Sequence, residues 1–163
     1  MQKFTAGLTK ILSYILIGLM ALIVLDVTWQ VFTRFILRNP SSFTEELAGF
    51  LLIWIGLLGA SYTYSRKAHL GIDTLTSQLA GRKKQAAEIG VAAVVFLFAL
   101  LVMVIGGLRL VDITFTLRQI SPAMKIPMGY IYSVLPVSGI LFMYYSVAAM
   151  VETATRGESV MPR

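Results

Sequence analysis

The chain has 163 residues, of which 57% are hydrophobic and 13% charged, with a mean hydropathy of +0.79 and a formal net charge of +6. That balance excludes a water-soluble domain of this size, and the basic residues sit in short connections instead of forming one face for nucleic acid. The absence of cysteine excludes a disulfide framework, a thiolate nucleophile and a Cys-ligated metal site.

Charges bracket four apolar segments: Lys10 to Arg34, Glu46 to Arg66, Glu88 to Arg109 and Lys125 to Glu152. Each is long enough for a hydrocarbon core of about 30 Å, which takes roughly 20 helical residues. Within the brackets only the first holds an ionisable Asp, Glu, Lys or Arg, namely Asp26. The runs are continuously apolar and not alternating, so they predict helices and not a barrel, because a helix satisfies its backbone polar groups internally. The expected fold is an all-α integral membrane protein, a single four-helix transmembrane domain over residues 1–163 with helices near 11–37, 43–65, 85–116 and 127–151. The first segment is too long for a signal-peptide core and reads as an uncleaved anchor.

Helix 1 carries Arg34 and Arg38 on its last turns and ends at Asn39-Pro40. Ser42-Phe43-Thr44-Glu45 then has capping-box spacing, and Glu45 and Glu46 stand where a helix start favours anions. Helix 2 offers Gly56 and Ala60 at small-xxx-small spacing for a close helix approach, while Tyr62 and Tyr64 mark an interface. In the connection "SRKAHLGIDTLTSQLAGRKKQ", Leu70, Ile72, Leu75 and Leu79 suggest a short amphipathic helix in the interface, ended by Gly81, with basic neighbours suited to anionic lipids. Helix 3 is long enough to tilt. Pro127 suits the first turn of helix 4, and Pro136 predicts a kink within it.

Placing both termini and the helix 2–3 connection in the cytoplasm puts nine of the fourteen basic residues inside, leaving Arg34, Arg38, Arg109, Arg118 and Lys125 outside. The positive-inside rule prefers this orientation.

Three groups of polar residues are candidates for function. Asp26, Gln30, Thr33 and Arg34 form one stripe of helix 1, and an intramembrane Asp is either a proton- or ion-coupling carboxylate or a residue hydrogen-bonded across a helix contact. Arg109 and Asp112, one turn apart, fall near the level of Arg34, Glu45 and Glu46, either as an outer charge cluster or as a solvated ring of interface anchors. His69, the one histidine, lies in the basic connection and not within a helix, which argues against haem. Trp54 lies mid-helix, away from the aromatic belts, and is expected to pack on a neighbouring helix or a partner. No phosphate loop, nucleophile elbow or HExxH motif is present, and nothing indicates an enzyme.

Together "FTEELAGFLLIWIGLLGA", "RKAHLGIDTLTSQL" and "SPAMKIPMGYIYSVLPVSG" resemble the small, Q-type permease subunit of TRAP (tripartite ATP-independent periplasmic) transporters, in the order and chain size of that family. The resemblance implies a multi-pass subunit of a bacterial cytoplasmic-membrane complex. Its partners would be a large permease subunit, which carries the substrate and sodium sites, and a periplasmic binding protein that delivers an organic acid such as a dicarboxylate or sialic acid. It further implies that Glu45, Glu46 and Leu47 form a paired-acid motif, that His69 is the loop histidine, and that Ser121, Pro122, Ile126 and Pro127 form the outer-loop motif. None of these would be catalytic, and no cofactor is expected in this chain. Phe43 stands where the family often has Trp, and Gly49 where it often has Arg. The expected role is an accessory scaffold that holds the large subunit during sodium-driven uptake; the alternative is a self-sufficient homodimeric transporter coupled through Asp26.

Overall fold

The computed structural model describes residues 2–39, 41–66 and 82–158. Its elements are α1 (Gln2–Phe35), α2 (Ser42–Ser65), α3 (Arg82–Phe98), a π-helical segment (Ala99–Gly106), α4 (Gly107–Thr116), α5 (Met128–Tyr132) and α6 (Val134–Glu158). They give four helical spans with the length and apolarity to cross a membrane: Phe4–Phe35, Ser42–Ser65, Lys83–Thr116 and Met128–Thr155. The expected interfacial helix, with His69 and Gly81, lies outside the described residues.

Among the described residues the main contacts run in a row, α1 on α2, α2 on α6, and α6 on α3 and the π-helical segment, with α1 also touching α6 near its start. At one end of this row residues 36–41 and 117–127 join successive helices; we call it the hairpin end. The opposite, terminal end carries the start of α1 and the last turns of α6. There α1 begins at Gln2, well before Ile11, and its extra turns have partners. Thr5 Oγ1 lies 2.9 Å from the Tyr144 hydroxyl and Thr9 Oγ1 lies 3.2 Å from that of Tyr145.

The α1–α2 seam follows from spacing. Thr44, Leu51 and Leu58 are buried at intervals of seven, as in a coiled-coil seam. On α1 the facing stripe is apolar at Leu12, Leu16 and Leu19, then polar at Asp26, Gln30 and Thr33. Trp54 packs against the cluster of Leu12, Leu58, Tyr64, Val134 and Tyr145. Serines fasten the next contact: the Ser61 hydroxyl lies 3.4 Å from the Ser138 carbonyl oxygen, and the Ser146 hydroxyl donates to the Tyr64 hydroxyl at 3.1 Å.

Close helix approach is made by glycines other than the expected pair. Gly56 and Ala60 are exposed, and a Cβ at Gly56 would meet nothing within 4 Å. A Cβ at Gly139 would instead lie 2.8 Å from Met103 Cβ, and one at Gly107 would lie 3.0 Å from Pro136 Cδ. Thus α6 reaches the third span where that span is π-helical, and its proline nests where α pitch resumes. Pro136 also explains the break at Ser133 between α5 and α6: it has no N–H for the Tyr132 carbonyl, and its ring crowds that oxygen.

Both hairpin-end terminations use arginine in the left-handed conformation that glycine ordinarily supplies, Arg38 at φ 50° and Arg118 at φ 49°. After α4 the Gln119 N–H returns to the Thr114 carbonyl at 3.1 Å, the bond of a Schellman motif. Each guanidinium-bearing residue is thereby placed at a helix C-terminus, where a cation complements the dipole.

Candidate functional site

The start of α2 differs by one residue from the expected capping box. Ser41 is the cap (φ −87°, ψ 108°), its hydroxyl accepting from the Thr44 N–H at 3.5 Å, while the Thr44 hydroxyl donates to the Ser41 carbonyl at 2.9 Å. Thr44 therefore takes the third helical position, and Glu45 is not the returning member of the box. Two adjacent serines each fit a cap, and the spacing to Glu45 favoured the wrong one. Successive helical residues are turned by about 100°. Glu45 is exposed, whereas Glu46 is half-buried against the second hairpin.

The second hairpin supplies donors. Ser121 and Ile126 pair across the loop, with the Ser121 N–H on the Ile126 carbonyl at 2.9 Å and the Met128 N–H on the Gln119 carbonyl at 2.9 Å. Lys125, at φ 55°, turns the chain between them. Within the loop, Ser121-Pro122-Ala123-Met124 reads as a miniature helix start. The Ser121 hydroxyl accepts from the Met124 N–H at 3.2 Å, and Pro122 stands where a missing N–H costs nothing. The Ala123 N–H is left for an anion, and the Met124 N–H can be shared between that anion and the Ser121 oxygen.

Glu46 is that anion. Its Oε2 accepts from the Ser121 hydroxyl at 2.5 Å, from Ala123 N at 3.0 Å and from Met124 N at 2.8 Å. Three donors on one oxygen suit a carboxylate, which is acceptor-only, and charge-assisted bonds of this kind are the stronger ones. Ser121 is 1% exposed, so the hydroxyl end of the contact is buried, while Glu46 itself is half-buried. This clasp joins the first hairpin to the second across 75 residues or more of sequence.

Among the other candidate residues, Arg34, Arg109 and Asp112 are exposed, and neither arginine is a partner of Glu46. Asp26 is 8% exposed, on the α1 stripe that faces α2, and its Oδ2 has no hydrogen-bond partner. Gln30 is half-buried one turn on. Pro122 and Pro127 are exposed, Pro127 bridging Ile120 and preceding α5. Gly49 is exposed with open space about it, room enough for a long side chain. Among the described residues no three His, Cys, Asp or Glu side chains group to hold a metal.

One supporting contact has no local sequence signal. Gly129 lies under the Phe115 ring, which also packs edge-on against Tyr130 at 5.2 Å. A Cβ at Gly129 would come within 2.5 Å of that ring. Gly129→Ala is expected to destabilise the hairpin end by about 1–3 kcal/mol through overpacking, read as a lower melting temperature in detergent. A melting curve matching the parent would refute it.

Residues 23–156 match the family of tripartite ATP-independent periplasmic transporters, DctQ component. The chain is 27% identical over 133 residues to a sialic acid TRAP transporter permease protein of Haemophilus influenzae, covering 82% of this chain but 21% of that one. It is 33% identical over 72 residues to a sialic acid TRAP transporter small permease protein of Vibrio cholerae, covering 44% of this chain and 42% of the relative. Against a putative TRAP transporter small permease protein of Haemophilus influenzae the match runs over 157 residues at 22% identity, 94% of this chain and 93% of the other. With four membrane-spanning helices and a family match over most of its length, the chain belongs to the DctQ component family of tripartite ATP-independent periplasmic transporters, as a multi-pass protein of the bacterial inner membrane.

Proposed function

We propose that this chain is the small, accessory membrane subunit of a sodium-driven TRAP importer for an organic acid, of the sialic acid type, and that it holds a large permease subunit. The observation that carries the reading is the 21% share that the chain covers of a longer sialic acid permease. A second long relative, an isethionate TRAP transporter permease protein of Oleidesulfovibrio alaskensis, is covered to 20%. Four fifths of each lies beyond the match, room for a separate transport domain.

The structure is suited to a fixed support. Many large apolar side chains stay exposed, and between 11% and 33% of each span's most apolar window is buried within the chain. The Glu46 clasp and the α1–α6 hydroxyl contacts tie the row at its two ends. In this reading the hairpin end faces the periplasm, toward the binding protein that delivers the acid, and sodium binds in the large subunit.

Co-expression with a large TRAP permease and purification in mild detergent is expected to give a one-to-one complex whose uptake in proteoliposomes needs both chains. Uptake by this chain alone, as a homodimer, would overturn the reading. The buried, partnerless Oδ2 of Asp26 favours that second reading, in which Asp26 couples an ion. Asp26→Asn with unchanged rate and pH dependence of uptake would remove it.

A further inference from the structure

The third and fourth spans are both interrupted, and the interruptions meet. The third passes from π to α winding at Gly106–Gly107, and the fourth breaks at Ser133, between α5 and α6. The Cβ that Gly107 lacks would lie 3.0 Å from Pro136 Cδ and 3.1 Å from Leu135 Cβ, which sets the two points side by side. Proline and π winding are the ordinary causes of a bend in a helix, because each interrupts the run of α bonds that stiffens it.

Between these points the chain makes one body. α4 packs on α5, the Phe115 ring lies over Gly129, and the joining loop is closed by the Ser121–Ile126 and Gln119–Met128 backbone bonds. Its ties to the remainder are few. Both helices touch α6 sparingly, and among the described residues neither makes more than a marginal contact with α1 or α2. The hydrogen bonds that cross from this body to α1 or α2, among the described residues, all end on Glu46 Oε2.

We propose that residues 107–132 form a hinged hairpin, which swings as one body about Gly106–Gly107 and Ser133, with Glu46 as the latch that holds it against α2. Hinges are a few residues at element ends that absorb the change of direction. Here Gly107 against Pro136 is the pivot on one side, and the Tyr132 carbonyl, to which Pro136 offers no N–H, loosens the other. α4 has ten residues and is about 15 Å long, so a swing of roughly 15° carries the loop by about 4 Å. That displacement parts Glu46 from its three donors together, since they share one oxygen. A protein pressing on the hairpin end therefore meets a part that yields, while the row beneath it stays fixed. The motion needs neither a large subunit nor a transported acid, and the chain alone can show it.

The chain has no cysteine, so paired spin labels can be introduced one pair at a time. The test is double electron–electron resonance on the full chain in nanodiscs. One pair, Leu25→Cys with Gln119→Cys, spans the hinge; the other, Leu25→Cys with Val94→Cys, does not, and all three positions are exposed. On addition of Glu46→Ala the first distance is expected to shift or broaden by about 4 Å, while the second keeps the parent value and the α4 amides keep their protection in hydrogen exchange. Ser121→Ala, which removes one donor, is expected to shift the first distance less, and it serves where Glu46→Ala does not fold. An unchanged first distance would overturn the proposal, because the hairpin would then be fixed without its latch. So would an equal shift of the second distance, which would place the motion in the row, or a loss of α4 protection, which would mean fraying instead of a swing.

Discussion

Glu46→Ala is expected to lower the melting temperature by several degrees, read by tryptophan fluorescence in detergent. The substitution removes one oxygen that serves three donors, the Ser121 hydroxyl and the N–H groups of Ala123 and Met124, of which only the Met124 N–H keeps another acceptor, the Ser121 oxygen. Stranding buried donors costs more than the bond itself gains, and Ser121 is sealed from water. Glu46→Gln keeps the length and one carbonyl acceptor but loses charge assistance, so about half the loss is expected. Ser121→Ala is expected to cost about 1 kcal/mol, and the Glu46→Ala, Ser121→Ala pair less than the sum, because both act on one contact. Additive losses would show that Glu46 and Ser121 stabilise the protein separately. Glu45→Ala provides the control, since an exposed neighbour is expected to change stability by about 0.5 kcal/mol at most.

Gly139→Leu is expected to be the most damaging single change within the spans. A Cβ at Gly139 meets Met103 Cβ at 2.8 Å, Val104 Cγ2 at 2.9 Å and, at 3.2 Å, the Val104 backbone nitrogen, which cannot turn aside. Alanine there is expected to cost about 1–3 kcal/mol, and leucine to drive α6 off the π-helical segment and abolish a monodisperse detergent-solubilised species in size-exclusion chromatography. Gly56→Ala is the contrasting case. With open space around it, the same change is expected to be neutral or to stabilise by about 0.5–1 kcal/mol through helix propensity. If Gly56→Ala proved as harmful as Gly139→Ala, the Gly56 face would have to be covered by another chain.

These two sites show what a sequence exposes to inspection. The four spans, the break at Asn39-Pro40 and the interruption before Pro136 come from local composition and from proline's missing N–H, and all are visible in the chain order. Resemblance also drew attention to the acid pair and to Ser121-Pro122. It did not show that one binds the other, because a contact between residues 46 and 121 leaves no periodicity in either stretch. Likewise Gly56 and Gly139 look alike in sequence, and only the placement of the third span decides which is crowded. The cap fell to Ser41 because a hydroxyl pair offers two registers that differ by one residue. Arginine in the left-handed conformation at positions 38 and 118 runs against propensity, so no local rule signals it. Arg34, Arg109 and Asp112 share a level by counting along the helices, yet counting says nothing of whether they touch.

Between Ala99 and Gly106 the backbone bonds each N–H to the fifth carbonyl before it, so every turn there holds a residue more than an α-turn would. The third span therefore stores surplus chain at the point where α6 presses on it. Removing one residue from this stretch lets the coil tighten to ordinary pitch, with Gly107 still able to meet Pro136. The same deletion in α2 would rotate Glu46 away from its three donors. A one-residue deletion is accordingly expected to be tolerable in one helix and ruinous in another, and the difference is written in winding, not in hydrophobicity.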